Sequence, residues 1–93
     1  MQNENWLRRI VDGAGLTDEL LPGVPVLEIA GDCRVLIERH EGVTGYSHEE
    51  ICIKVSYGMV CIYGCGLELI KMTQNQLIVS GRINGIQLQR RGT

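Results

Sequence analysis

Two hydrophobic periodicities divide the chain, and the change between them falls at Pro25. Before Pro25, apolar side chains recur every three or four residues, which is the spacing of one helical face. Asn5 is a suitable N-cap, and the glycines at 13 and 15 are suitable stops. The pattern predicts one short N-terminal helix over residues 5–14, which must dock on the rest of the chain because so short a helix is marginal alone. Its apolar face consists of Trp6, Leu7, Ile10, Val11 and Ala14.

After Pro25 the pattern changes to short runs rich in Ile, Val and Leu, separated by glycines or polar turn residues. There are seven such runs, at residues 26–30, 34–39, 50–56, 59–63, 67–72, 76–80 and 83–88. The glycine-containing segment 42–45 is interpreted as a turn, in which Gly42 supplies a positive φ. Connections this short leave no room for crossover helices, so neighbouring strands should pair antiparallel as a meander. The prediction is an all-β fold with its β part at residues 26–88 of a single domain, 1–93.

Two of these runs, 59–63 and 67–72, are apolar on both faces, and one small sheet cannot hide both. We therefore expect the sheet to curl into a small barrel or sandwich, and a second copy of the chain to cover the remainder as a homo-oligomer. Strict alternation assigns Val60, Ile62, Ile70 and Met72 to one face. It assigns Cys61, Tyr63, Leu67 and Leu69, the interface candidates, to the other. Which face is the core stays open at this point.

Length, net charge and the distribution of apolar residues exclude several classes of protein. A chain of 93 residues with a net charge of −2 is one domain and is not a nucleic-acid binder held by bulk electrostatics. It contains no apolar run long enough for a transmembrane helix and no basic-then-apolar signal sequence. These features predict a cytoplasmic protein.

The four cysteines are expected to be free thiols, because structural disulfides are rare in a reducing compartment. Cys52 and Cys61 are interpreted as small packing residues. Cys61 and Cys65 lie beside a Gly-x-Gly turn, but a catalytic thiolate would need a neighbouring base, and the nearby sequence offers none. The alternative is that the fold brings His40 or His48 close to one of these thiols.

Two histidines, His40 and His48, lie among acidic residues and so raise the question of a metal site. Their spacing matches no metal-binding motif, and solvated loop residues are the simpler interpretation. Arg90 and Arg91 follow the last strand and are interpreted as solvated, with an acidic partner or lipid headgroups as the alternative. The residues alone thus indicate no catalytic, cofactor or metal site.

Several segments together nevertheless resemble one known family. They are residues 25–31, 35–43, 46–47, 58–64 and 77–83, with the strand around Ile51 between them. This pattern is similar to the YabP/YqfC family of sporulation proteins, and to its YqfC branch in particular, over about residues 6–88. The most specific stretch is 37–43, Ile-Glu-Arg-His-Glu-Gly-Val. The family usually has Asn where Arg39 stands, so a side-chain role at that position need not carry over.

The resemblance implies a non-enzymatic protein of endospore formation in the mother-cell compartment. It further implies a structural or assembly role and a YqfD-like membrane protein as partner, with peripheral placement at the forespore membrane. Two other functions stay open: a membrane-surface adaptor and a small-ligand-binding β-barrel unrelated to sporulation.

Overall fold

The computed structural model describes residues 23–91, which form six β-strands and no helix. The all-β prediction is confirmed, and the helix predicted for residues 5–14 lies outside the described residues. The strands are β1 (Val26–Ala30), β2 (Arg34–Glu38), β3 (Val43–Tyr46), β4 (Glu50–Val55), β5 (Gly58–Met72) and β6 (Gln76–Arg90).

All six strands belong to one antiparallel sheet with the order β1-β2-β6-β5-β4-β3. Strands β3 to β6 form the expected meander. The β1–β2 hairpin departs from it, since β2 pairs with β6 rather than with its neighbour in sequence, β3. The chain must therefore cross from one side of the sheet to the other between β2 and β3.

Three details of the expected strand pattern are wrong. The runs 59–63 and 67–72 are one 15-residue strand, β5, and the runs 76–80 and 83–88 are likewise one 15-residue strand, β6. The segment interpreted as a turn at 42–45 contains the start of a strand, β3, which pairs with β4. The reason is that the glycines between the runs act as β-bulges within long strands instead of ending them.

The bulges in the β5–β6 hairpin change which residues face the core. The register shifts between Tyr63 and Gly64, between Cys65 and Glu68, and between Leu69 and Lys71. Because side chains alternate with a period of two, each unmatched residue reverses the facing of those after it. Val60, Ile62 and Leu67 are thus all fully buried, although strict alternation separates Leu67 from the other two.

The same hairpin is folded back on itself. Fifteen extended residues would span roughly 50 Å. Yet residues 39–42, which reach at most roughly 14 Å, connect the two ends of β5. The Arg39 N–H donates to the Asn75 carbonyl beyond one end, and the Lys54 N–H beside the other end donates to the Gly42 carbonyl. The sheet therefore curls into two facing layers, as the expectation of a curled barrel or sandwich required.

The core lies between these layers and is built almost wholly from aliphatic side chains. Its ten fully buried members come from β2, β4, β5 and the first half of β6. They are Val35, Ile37, Ile51, Ile53, Val55, Val60, Ile62, Leu67, Leu77 and Val79. Residues from β2 and β4 share this cluster although two strands separate them in the sheet, which is a direct consequence of the curl.

Gly81 provides a test of the bend. Its φ is +138°, and a Cβ there would lie 2.6 Å from the Gly66 carbonyl oxygen across the hairpin. We expect Gly81→Ala to lower the free energy of unfolding by about 1–3 kcal/mol, because it adds backbone strain and a steric clash. Denaturant unfolding measures this difference.

Gly85, in the same strand, is the matched control, since no atom lies within 4 Å of a Cβ built there and its φ is not in the positive range. Gly85→Ala should change stability little. Equal losses in the two variants would contradict the assignment of Gly81 to the bend.

Candidate functional site

His40 anchors the crossing segment, residues 39–42 between β2 and β3, to the rest of the sheet. The Gly42 N–H donates to His40 Nδ1 at 3.0 Å, so the ring proton lies on Nε2, which donates to the Thr73 carbonyl at 2.9 Å. The side chain is only 9% exposed. The interpretation of His40 as a solvated loop residue is therefore wrong, because its two ring nitrogens satisfy backbone groups at opposite ends of the crossing.

The residues beside His40 have the backbone that this crossing requires. Gly42 has φ +114°, which confirms the predicted positive value, and Arg39 has φ +65°. The left-handed region is disfavoured for most side chains, whereas Asn tolerates it well. The Arg39 guanidinium also donates to the Val24 carbonyl at 3.0 Å.

His48 lies elsewhere and is exposed, as expected. Its Nδ1 lies 3.3 Å from the Leu67 carbonyl, whereas His40 contacts Thr73. The two histidines therefore serve two different strand connections, and the structure does not assemble them into one set of metal ligands.

Cys52 and Cys61 face each other across β4 and β5 and form a disulfide, with their Cα atoms 4.1 Å apart. The expectation of four free thiols is wrong for this pair and correct for Cys33 and Cys65, which are free and exposed. The sequence contained no signal for the pairing, since the two cysteines are nine positions apart and only the strand register places them opposite.

The four interface candidates do not share one surface. Leu67 is fully buried and Cys61 is 1% exposed, so neither has surface to offer in this conformation. Leu69 packs against the core cluster. Tyr63 is half-buried on the outer face of β5, where its hydroxyl donates to Gln87 Oε1 at 3.2 Å.

A basic groove lies where β4, β5 and the end of β6 meet. It has a volume of about 360 Å³ and includes Lys54, Arg90 and Arg91. The Arg90 guanidinium lies 5.4 Å from the centre of the Tyr57 ring, and Arg91 donates to the Ser56 carbonyl at 2.5 Å. The arginines interpreted as a solvated tail are therefore held against the β4–β5 turn by a cation–π contact and a hydrogen bond.

Glu28 on β1 and Glu38 on β2 carry like charges that interact unfavourably. Glu28 Oε2 is buried and has no hydrogen-bond partner among the described residues. Burial, and then the neighbouring charge of Glu38, raises the pKa of Glu28. Glu38 itself accepts a hydrogen bond from Gln76 Nε2 at 2.8 Å. Ionised Glu28 therefore opposes folding as the pH rises above its ordinary titration range.

Comparison with known proteins identifies the family. The model of the YabP family matches residues 24–93, which include every strand, and the chain belongs to this family. This membership suggests a sporulation-related protein. No curated protein and no solved structure gives a significant match. Within residues 23–91, no helix has the length and apolar character needed to cross a membrane.

The His40 contacts predict a specific loss of stability. His40→Ala removes two hydrogen bonds, one to the Gly42 N–H and one to the Thr73 carbonyl, so the free energy of unfolding should fall by about 1–3 kcal/mol. His48→Ala, at an exposed position with one long contact, is the control and should change it by less than about 0.5 kcal/mol. Chemical denaturation of both variants measures the difference, and a His40 variant as stable as the His48 variant would contradict the fastening role.

Proposed function

We propose that the protein acts in endospore formation as a non-enzymatic assembly component in the mother-cell cytoplasm. In this proposal it binds further copies of itself and a YqfD-like membrane protein, and lies at the periphery of the forespore membrane. The single observation that carries the proposal is a long strand edge. Beyond Ile83, no strand of residues 23–91 pairs with the side of β6 that faces away from β5.

This edge arises from the bend. β2 pairs only with the first part of β6, from Gln76 to Ser80, and the turn at Asp32 and Cys33 reaches only as far as Ile83. Within residues 23–91, the rest of β6, residues 84–90, has no strand partner on this side, and such an edge is a template for strand addition. Leu88, 58% exposed, lies on it.

A second copy of the same strand is a suitable partner for this edge. Antiparallel pairing of a strand with its own copy follows from a two-fold axis, the commonest symmetry of homo-oligomers. With the axis at Gln87, Ile86 of one copy would lie opposite Leu88 of the other, and Asn84 opposite Arg90. That register joins apolar side chains and places no like charges opposite each other.

The non-enzymatic part of the proposal is supported by the structural use of two potentially reactive side chains, those of His40 and Cys61. Both ring nitrogens of His40 are engaged by the backbone of the crossing, and Cys61 is enclosed on the sheet face. These groups serve the fold. The membrane partner is supported by the family resemblance and by the basic groove, which suits the anionic cytoplasmic surface of a bilayer.

Self-association through the β6 edge predicts a mass change in one variant. Wild type should sediment as a homo-oligomer at tens of micromolar, and Leu88→Lys should yield smaller particles, because a charge at the pairing edge is costly to bury. Far-UV circular dichroism should show unchanged β structure, since Leu88 is largely exposed.

Met72→Lys is the matched control. Met72 is a similarly exposed apolar residue, at 50%, but it lies on β5 opposite Leu77 and not on the edge formed by residues 84–90. It should leave the mass unchanged. A monomeric wild type would overturn the self-association, and equal dissociation of both variants would overturn its placement on β6.

The groove also favours a second function, that of a membrane-surface adaptor independent of sporulation. Lys54, Arg90 and Arg91 would contact lipid phosphates, with Met59 beside them at the same groove. Under the alternative of a small-ligand module, the same groove would instead bind an anionic small molecule, and vesicles would not be retained.

Vesicle sedimentation tests the membrane contact. Binding to phosphatidylglycerol-containing vesicles should fall as salt rises and should weaken in the Arg90→Gln/Arg91→Gln variant. The Arg34→Gln/Arg82→Gln variant loses the same charge at exposed positions outside the groove and should bind like wild type. Equal binding by both variants would show that net charge alone is responsible.

A further inference from the structure

Three potential metal ligands converge on the outer face of β4 and β5. Glu50 and Cys52 are two residues apart on β4 and so project from the same face, and Cys61 is the direct partner of Cys52 on β5. One ligand atom from each lies within 4.8 Å of the other two. Glu50 Oε2 is 3.3 Å from Cys52 Sγ.

We propose that, when Cys52 and Cys61 are reduced, these two thiolates and the Glu50 carboxylate bind one Zn²⁺ ion. Two sulfur ligands select a thiophilic metal over Mg²⁺ or Ca²⁺, and a carboxylate oxygen is a common further zinc ligand. Three protein ligands leave the fourth tetrahedral position to water. Neither histidine takes part, since both engage backbone carbonyls elsewhere.

The disulfide and the metal site exclude each other. A small thiol or dithiol reductant of the cytoplasm converts the disulfide into two thiols and is itself oxidised to a disulfide. Zinc then replaces the two thiol protons, which pass to solvent. The same two sulfur atoms thus form a covalent cross-link under oxidising conditions and a metal site under reducing conditions.

The site is open on one side. Glu50 is exposed and Cys52 is half-buried, whereas Cys61 is 1% exposed. A metal ion would therefore approach from the Glu50 end of β4 and lie over the sheet surface. Both strands are central in the sheet, with β3 and β6 flanking them, so the ligand positions are held by paired backbone on both sides.

The experiment is a zinc titration of the full chain, reduced and under anaerobic conditions, against a chromophoric chelator. The Cys33→Ser/Cys65→Ser variant is used as the parent protein, because both of these exposed free thiols would otherwise bind metal. We expect one Zn²⁺ per chain. Co²⁺ in its place should show thiolate charge-transfer absorption and the intense visible bands of a tetrahedral ion.

Three comparisons decide the outcome. Adding Cys52→Ser to the parent should abolish the charge-transfer band and the tight binding, and adding Glu50→Gln should weaken zinc binding by about tenfold. The oxidised parent carries no further substitution and should bind no zinc. This comparison does not depend on the folding of the Cys52 and Glu50 variants. Failure of the reduced parent to bind, or undiminished binding after oxidation or after Cys52→Ser, would overturn the proposal.

Discussion

The bend in the β5–β6 hairpin places every other strand of this sheet. A glycine without a Cβ at position 81 lets the hairpin backbones approach closely, and bulges on both strands remove the strain of a sharp turn in a long ladder. Once the hairpin is folded, β4 and β3 line one layer and β2 and β1 the other. The aliphatic core is then the space between two halves of one hairpin, so the bend and the core require each other.

The crossing between β2 and β3 is what holds the fold in that state. Four residues connect layers that the sheet order separates, and they contain the two unusual backbone conformations at Arg39 and Gly42. His40 compensates by satisfying one backbone group on each side with a single ring. In residues 37–43, the most specific stretch of the family resemblance, the His40 side chain and the backbone at Arg39 and Gly42 thus build the connection between strands.

The surfaces available for function follow from the same geometry. Because the hairpin bends, β2 leaves β6 before its end, which exposes residues 84–90 as an edge and brings Arg90 and Arg91 to the β4–β5 turn. The outer face of β4 and β5, in contrast, is regular, and its direct register pairs Cys52 with Cys61 beside Glu50. The irregular hairpin thus leaves the edge that we propose as an interface, while the regular pairing of β4 and β5 places two cysteines opposite each other.

The sequence by itself determined the all-β class, the antiparallel hairpins, the positive φ of Gly42 and the family, because these depend on local periodicity, turn chemistry and short motifs. It could not place Leu67 and Ile62 in the same core. A β-bulge between them reverses the alternation of inward and outward side chains, and the amino-acid sequence does not reveal that bulge. It also could not pair Cys52 with Cys61 or bury His40. Those outcomes depend on which strands lie side by side and on where the chain crosses. Both are decided only when the curled sheet closes over its core.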